Sequence, residues 1–193
     1  SYREVIALTA IMPEVEITIR QEPRRKRLAS LLDAAGWTDE GSLSQVPGHL
    51  RSYQRNGLAW LNRLVRLGIG GILADDMGLG KTHQGLALLQ MAIHDGGKGL
   101  MMVVCPASVV LNWADKIDSF YQGLDYAVYY GPQRDLAKAQ ERGLLLTTYG
   151  VVRQDLDQLR LCAFDIILLD EIQQLKNRST AIHQAVAALN SRV

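Results

Sequence analysis

A glycine-rich loop between two apolar segments carries the clearest chemical signal. Residues 70–84 read GGILADDMGLGKTHQ, so an apolar run leads through the loop into a helix-like pattern. Backbone N–H groups at such a loop and helix start converge on an anion, and the helix dipole favours negative charge there. We therefore expect a nucleotide-phosphate site formed by Asp76, Met77, Gly78, Leu79, Gly80, Lys81, Thr82 and His83.

Three residue types in this loop have a physical reason. Gly78 and Gly80 allow backbone angles that a Cβ would forbid, Lys81 can reach the β- and γ-phosphates, and the Thr82 hydroxyl can ligate Mg²⁺. Asp75 departs from the strict pattern, which has glycine at that position. A glycine-rich turn followed by a chance Lys-Thr pair is the alternative interpretation.

Two carboxylates directly follow a second apolar run, FDIILLDE at residues 164–171. Parallel α/β sheets place their chemistry at the carboxyl ends of strands, where one acid can hold Mg²⁺ while its neighbour polarises a water. We expect Asp170 to hold the metal and Glu171 to act as the base. The alternative is an ordinary helix N-terminus.

Together these segments resemble the SWI/SNF-type DNA translocases of helicase superfamily two, in which Asp commonly occupies the first position of the loop. The resemblance rests on residues 73–84 and 168–177 and covers roughly residues 50–193. It implies an α/β fold, a RecA-like P-loop NTPase lobe whose parallel sheet has helices on both faces. It also implies ATP and Mg²⁺ as cofactors, and double-stranded DNA and a second RecA-like lobe as partners.

Further motifs follow in the order of that family. Residues 50–61, LRSYQRNGLAWL, resemble its adenine-recognising segment, which implies that Gln54 contacts adenine with Tyr53 beside it. Gln173 stands where the family couples nucleotide state to DNA. His83 replaces the family's usual aliphatic residue, and we interpret it as a tolerated substitution in the first helical turn.

Two segments, around residues 105–113 and 147–149, resemble the family's DNA-contact motifs, and residues 130–134 resemble the strand-and-turn signature between them. The DNA contacts that they imply are Pro106, Asn112, Arg134, Thr147 and Thr148. Trp113 and Tyr149 lie in the same motifs, where packing is the favoured interpretation and base stacking the alternative.

Composition constrains the function only weakly. The 193 residues carry a net charge of +1, so the charge balance by itself does not indicate nucleic-acid binding. No apolar run approaches the roughly 20 residues that span a bilayer, and no membrane partner is expected. Cys105 and Cys162 lack metal-ligand spacing and are expected to be buried free thiols. The expected location is the cytoplasm, in association with the nucleoid, or the nucleus of a eukaryote.

Residues 1–47 are interpreted as an upstream accessory segment and residues 48–193 as the first RecA-like ATP-binding lobe, incomplete and without its second lobe. The family's arginine finger belongs to that second lobe, so the isolated chain is expected to hydrolyse ATP very slowly. Two other classes stay open: a P-loop ATPase switch that acts on a protein partner, and a non-catalytic docking fragment.

Apolar periodicity predicts alternating helices and strands. The predicted helices are 52–66, 81–93, 108–120, 134–142 and 180–190, with a helical turn from 150, and the predicted strands are 71–74, 100–104, 126–130, 144–147 and 164–169. In RecA-like lobes one more strand lies between strands 71–74 and 164–169. We expect that strand to follow Val193, which would leave a gap in this sheet, and residues 4–12 are the candidate to fill the gap.

Overall fold

The computed structural model describes residues 49–66, 68, 70–76, 78–97 and 99–193. The chain divides into two compact units, Ser1–Lys81 and Thr82–Val193. The predicted domain boundary at residues 47 and 48 and the strand candidate at residues 4–12 lie outside the described residues. Among the described residues, no helix is long and apolar enough to cross a membrane.

In the first unit, helix α1 (Ser52–Arg66) has the predicted bounds, and the glycine-rich loop follows it. The predicted strand at 71–74 is wrong, because residues 70–76 adopt neither helix nor strand. Glycine has low strand propensity, and this segment begins with two. A Cβ at Gly71 would lie 2.5 Å from Leu64 Cδ1 and 3.0 Å from Trp60 Cη2, so the backbone here packs closely against α1.

The second unit contains a five-stranded sheet in which every pairing is parallel. Its strands in chain order are β1 (Leu100–Cys105), β2 (Tyr126–Val128), β3 (Leu144–Thr148), β4 (Ala163–Leu169) and β5 (Asn190–Ser191). The spatial order is β2-β3-β1-β4-β5. Four of these strands were predicted, and the α/β class is confirmed.

Helices follow most strands. They are α2 (Lys81–His94), α3 (Val110–Phe120), α4 (Leu136–Gln140), α5 (Tyr149–Gln154), α6 (Leu156–Leu159), a 3₁₀ turn (Ile172–Leu175) and α7 (Ala181–Ala187). On one face of the sheet Met102 and Leu145 share a core with Ala185 of α7. On the other face Gly85 of α2 lies so close to Leu168 that an added Cβ would approach its Cδ1 to 3.0 Å. The sheet is therefore covered on both faces, which accounts for the continuous burial of β3.

The outer edge of β4 is paired with the last residues of this sequence. The expectation of a gap beside this strand is therefore wrong. Asn190 and Ser191, the residues of β5, pair with Ala163 and Phe164. The extended backbone continues, since the Val193 N–H donates to the Asp165 carbonyl (3.1 Å) and the Val193 carbonyl accepts from the Ile167 N–H (2.9 Å). These bonds satisfy backbone groups of a buried strand, so the predicted helix 180–190 ends early, at Ala187.

Strand register determines which side chains meet at the carboxyl edge. Cys105 is paired with Thr148, and Val104 is paired with Leu169. The Asp170 N–H donates to the Val104 carbonyl (2.9 Å), which extends the ladder by one residue beyond β4. The ends of β1, β3 and β4 therefore meet around Asp170, as expected for the chemistry of a parallel sheet.

Candidate functional site

The glycine-rich loop has the backbone that its sequence predicts. Gly78 and Gly80 adopt φ values of 84° and 78°, a region that side chains with a Cβ rarely enter. A Cβ built at Gly78 would meet no atom within 4 Å, so the loop is open on that side and a ligand can approach the backbone. Met77 lies outside the described residues. The described part of the loop fits a phosphate group.

Lys81 is the first residue of α2, and its ammonium group is held by the loop itself. Its Nζ donates to the carbonyls of Asp75 (2.6 Å) and Asp76 (2.9 Å). Two neutral carbonyls satisfy an ammonium group less strongly than an anion does. A bound phosphate would therefore compete favourably for this side chain.

Gln54 and Tyr53 are brought to the loop by α1. The Gln54 side-chain amide and the Tyr53 hydroxyl both donate to the Leu79 carbonyl, at 2.9 and 3.0 Å. Gln54 Oε1 also accepts from the Arg51 N–H (2.9 Å), a contact typical of the third residue of a helix. The two residues expected at adenine thus contact the middle of the expected phosphate loop.

Thr82 and His83 begin the second unit. The Tyr121 hydroxyl donates to the His83 carbonyl (2.8 Å), and His83 Nδ1 lies 3.3 Å from the same hydroxyl. The imidazole also meets the Phe120 ring edge to face, with centroids 5.2 Å apart. Burial raises the pKa of Tyr121, so its hydroxyl stays protonated. The His83 side chain thus joins the start of α2 to the end of α3.

Asp170 is held at both its carboxylate and its backbone. The Trp113 indole N–H donates to Asp170 Oδ2 (2.9 Å), and the Glu171 N–H donates to Oδ1 (3.0 Å). The Tyr149 hydroxyl donates to the Asp170 carbonyl (2.6 Å). A carboxylate oxygen accepts more than one hydrogen bond, so both oxygens keep capacity for a cation.

Glu171 adopts φ 53° and ψ 52°, and it is the one non-glycine residue with positive φ among the described residues. Strain of this kind is often found at functional sites. The Gln173 side-chain amide contacts the Glu171 carboxylate. The expected base and the expected coupling residue are therefore adjacent, on the 3₁₀ turn after β4.

Burial and negative charge keep the neighbouring hydroxyl and thiol groups protonated. Burial, and then the charge of Asp170, raise the pKa of the Cys105 thiol to about 12. Burial followed by the Asp170 charge also raises the pKa of Tyr149. The Tyr149 hydroxyl is thus kept as a donor to the Asp170 carbonyl. Cys105 and Cys162 are both buried and free, which confirms their prediction.

The Asp170 carboxylate at this edge and the Thr82 hydroxyl in the first turn of α2 are oxygen donors of the kind that Mg²⁺ prefers. Within the described part of the chain, no group of three or more His, Cys, Asp or Glu residues could hold a metal by itself. Mg²⁺ commonly takes one or two protein oxygens and completes its shell with phosphate oxygens and water. The Asp170 carboxylate and the Thr82 hydroxyl are the kind of sparse oxygen set that such an ion uses.

The residues expected at DNA differ in their exposure. Asn112 on α3 is exposed and Pro106 after β1 is half-buried. Thr148 is buried and its hydroxyl accepts from the Val151 N–H (3.3 Å), which caps α5. Thr147 is 0% exposed and its hydroxyl donates to the Tyr129 carbonyl (2.8 Å). The Thr147 and Thr148 side chains therefore stabilise the sheet and a helix start, whereas the side chains of Asn112 and Pro106 are accessible to solvent.

Arg134 is engaged inside the fold. Its Nε and Nη2 donate to the two oxygens of Asp155 at 2.5 and 2.8 Å, and its Nη1 donates to the Gly131 carbonyl (2.8 Å). The Tyr129 hydroxyl donates to Asp155 as well (2.7 Å). Arg134 thus clamps the turn after β2 to the junction of α5 and α6, which differs from the expected phosphate contact.

Sequence reasoning missed two features of the site. Trp113 and Tyr149 were interpreted as packing residues, and no residue pattern indicated that both donate to Asp170. No sequence pattern marked Asp155. Its pairing with Arg134, 21 positions earlier, is visible only in the structure. Each contact joins segments far apart in the chain.

Comparison with known proteins agrees with this geometry. The sequence profile of the SNF2-related domain matches residues 53–193. The mouse Chromodomain-helicase-DNA-binding protein 1-like is 35% identical over 150 residues, 74% of this chain and 17% of that protein. Helicase swr1 of Emericella nidulans is 38% identical over 154 residues, 75% of this chain and 9% of that protein.

A solved structure, the Sulfolobus solfataricus SWI2/SNF2 ATPase core in complex with dsDNA, matches with a TM-score of 0.72 and 37% identity over 76% of this chain. The chain spans 31% of that protein's chain, so it corresponds to a part of each of these proteins. The match confirms the predicted RecA-like fold. Because the profile covers most of the sequence and the fold agrees with it, the chain belongs to the SNF2-related domain family.

Proposed function

We propose that this chain is the ATP-binding lobe of an ATP-dependent motor that moves on double-stranded DNA. The observation that carries the proposal is the loop backbone, where Gly78 and Gly80 both have positive φ directly before Lys81, the first residue of α2. This combination of loop and helix start binds phosphate groups. The relative solved with dsDNA supports the choice of DNA as the second partner.

In this proposal the side chains have distinct roles. Gln54 and Tyr53 bind the adenine, and Lys81 with the loop amides binds the phosphates. Thr82 and Asp170 hold Mg²⁺, which neutralises phosphate charge when bound. Glu171 orients the attacking water and accepts its proton.

The first experiment measures nucleotide binding by the 193-residue chain. ATP with Mg²⁺ raises the melting temperature by mass action, and Lys81→Ala removes most of that shift because the ammonium no longer meets the phosphates. Lys138→Ala is the matched control, because Lys138 of α4 is an exposed lysine (81%) outside the loop, 3.6 Å from the carboxylate of Asp135, the residue that caps this helix. It is expected to keep the full shift.

The outcome separates this proposal from the docking alternative. A wild-type chain that shows no shift with ATP would identify it as a non-catalytic fragment. A Lys81→Ala chain with the wild-type shift would refute the assignment of the loop.

The second experiment concerns the motor as a whole. We propose that turnover needs a second RecA-like lobe, so a protein that contains both lobes hydrolyses ATP faster when duplex DNA is added. In that protein Glu171→Gln abolishes hydrolysis and keeps ATP binding, because the base acts on water and contributes little to ground-state binding. DNA-independent hydrolysis that a protein partner stimulates would favour the switch ATPase instead.

DNA binding itself has a measurable signature. If Asn112 meets a phosphate oxygen, affinity is nearly independent of sequence. It falls with salt at a log–log slope of about 0.9 for each phosphate that a lysine or arginine of the protein neutralises. A strong preference for one sequence at fixed salt would contradict the proposed mode of contact.

A further inference from the structure

We infer that Trp113 is a positioning residue for the metal-holding carboxylate of Asp170, with Tyr149 as its backbone counterpart. The inference rests on the proposed function, since it assigns a role to residues that contact Asp170 and do not themselves contact the metal. It identifies the indole N–H as the group that selects one orientation of the carboxylate.

The geometry around Asp170 supports this role. An aspartate at the end of a strand can rotate about two side-chain bonds, whereas Mg²⁺ demands near-ideal octahedral geometry. Trp113 holds Oδ2 at 2.9 Å while the Glu171 N–H holds Oδ1 at 3.0 Å. One donor on each oxygen fixes the plane of the carboxylate before any ligand arrives.

The donor is itself rigid. Trp113 is 2% exposed and lies on α3, and the edge of its ring faces Gly85 of α2. A Cβ at Gly85 would lie 3.3 Å from Trp113 Cη2, so the glycine leaves room for the ring. Indole is a donor only, and a buried indole N–H needs an acceptor. The carboxylate of Asp170 is that acceptor.

Tyr149 holds the backbone of Asp170. Its hydroxyl donates to the Asp170 carbonyl at 2.6 Å, and the Asp170 N–H is already bound to the Val104 carbonyl. Backbone and carboxylate of Asp170 are thus held from three directions, by α3, by α5 and by β1. Outer partners of this kind typically change metal affinity when they are removed.

The position of Trp113 gives the contact a functional meaning. Asn112, the adjacent residue of α3, is exposed and is one of the proposed DNA contacts. The helix that carries the expected DNA contact on one side therefore holds the metal-binding carboxylate with its other side.

The test replaces Trp113 with 3-benzothienylalanine, which keeps the shape of the ring and exchanges the N–H for sulfur. The 193-residue chain is titrated with ATP in Mg²⁺ and with ATP in a chelator. We expect the factor by which Mg²⁺ strengthens ATP binding to fall by about 10–100-fold, while binding in the chelator stays close to wild type. Trp113→Phe is the genetically encoded second variant, and it loses ring volume as well.

A second readout needs no nucleotide. The indole N–H resonance of Trp113 in ¹H–¹⁵N spectra reports its hydrogen bond, and Asp170→Asn is expected to shift it because the charged acceptor is lost. Tyr149→Phe is expected to reduce the effect of Mg²⁺ as well. Its matched control is Tyr126→Phe, in which β2 loses an exposed hydroxyl that donates to Asp118 of α3 (3.0 Å).

The outcomes separate the two proposals. A benzothienyl variant with the wild-type Mg²⁺ effect, or an indole resonance that ignores Asp170→Asn, would overturn the role of Trp113 and leave the proposed function standing. A wild-type chain that binds no ATP under either condition would refute the proposed function, and this inference with it.

Discussion

Replacing Arg134 tests whether this residue clamps the fold or contacts DNA. Its guanidinium forks across both oxygens of Asp155, and the two side chains are 21% and 13% exposed. Removing one partner of a buried pair costs about 3–5 kcal/mol, and of an exposed pair about 0–1 kcal/mol. Because a fifth of the Arg134 side chain meets solvent, we expect Arg134→Ala to lower the free energy of unfolding by about 2–3 kcal/mol.

Thermal unfolding measures this effect, with Arg142→Ala as the matched control. Arg142 pairs with Asp125 at 3.0 Å, but the side chains are 59% and 63% exposed, so its loss costs less than about 1 kcal/mol. At about 2–4 °C for each kcal/mol in a chain of this size, Arg134→Ala is expected to melt about 5–10 °C lower.

A lysine at position 134 separates the two roles. Arg134→Lys keeps a charge that could meet a phosphate but loses the planar fork, so the clamp predicts that most of the stability is lost. Equal melting temperatures of Arg134→Ala and Arg142→Ala would refute the clamp, and so would a fully stable Arg134→Lys protein.

The clamp also makes stability depend on pH in two windows. The hydrogen bonds from Arg134 hold the pKa of Asp155 below its usual value, so this contribution is present above about pH 4 and is lost as the pH falls through the folded pKa. Burial, and then the hydrogen bond to Asp155, raise the pKa of Tyr129 to about 12. That contribution is present below about pH 10 and is lost as the pH rises towards 12. In a plot of the free energy of unfolding against pH, Arg134→Ala should reduce the fall at acid pH, and Tyr129→Phe should reduce the fall at alkaline pH.

Three further predictions concern single residues. Glu171→Gly should raise the free energy of unfolding, measured by urea denaturation, by up to about 1 kcal/mol, because it relieves about 1–2 kcal/mol of left-handed backbone strain at the cost of the greater chain entropy of glycine. Glu171→Gln keeps the strain and should not be stabilised. Equal free energies of unfolding for the two variants would refute the strain. Gly99→Ala should destabilise by about 0.5–1.5 kcal/mol, since the methyl would displace the Asp165 carboxylate that accepts the Gly99 N–H (3.1 Å) and break this hydrogen bond. If the clash is the cause, Gly99→Ala should cost much less in an Asp165→Ala background. Cys105 and Cys162 should not react with a thiol reagent at about pH 8 until the protein unfolds, and rapid native reaction would contradict their burial.

Secondary structure could be predicted where one pattern dominated. Helix α1 has the predicted bounds, Ser52–Arg66, because its apolar residues recur at helical spacing over four turns. Strands β1, β3 and β4 were predicted to within one residue at each end, since buried parallel strands are continuous apolar runs. These elements depend mainly on their own residues.

Elements that depend on a distant partner could not be predicted. Asn190 and Ser191 read as the end of a helix, and they form β5 because Ala163 and Phe164 offer unpaired backbone groups. The segment at 71–74 is apolar enough to predict a strand, but its backbone lies against α1, where a Cβ at Gly71 would come within 2.5 Å of Leu64 Cδ1. A strand exists only where a neighbour completes its ladder, and that information is not local.

The same limit applies to the site. Backbone requirements at Gly78 and Gly80 were predictable, because positive φ excludes most other residues. Side-chain partners were not, since the indole of Trp113 and the carboxylate of Asp170 are 57 positions apart. The motif of Trp113 indicated a DNA-facing segment, and only the three-dimensional arrangement reveals the direction in which this side chain points.

The Thr147–Thr148 pair shows why a motif locates a segment without assigning its side chains. Successive side chains of a strand point to opposite faces of the sheet, so two neighbouring threonines do not face the same surface. Thr147 turns towards β2 and binds the Tyr129 carbonyl, whereas Thr148 ends the strand and caps α5. Tyr149 begins α5 directly after this cap, and its hydroxyl donates to the Asp170 carbonyl. Each residue of this motif therefore makes its own hydrogen bond within the fold, and the bond from Tyr149 reaches Asp170, the expected metal-holding residue.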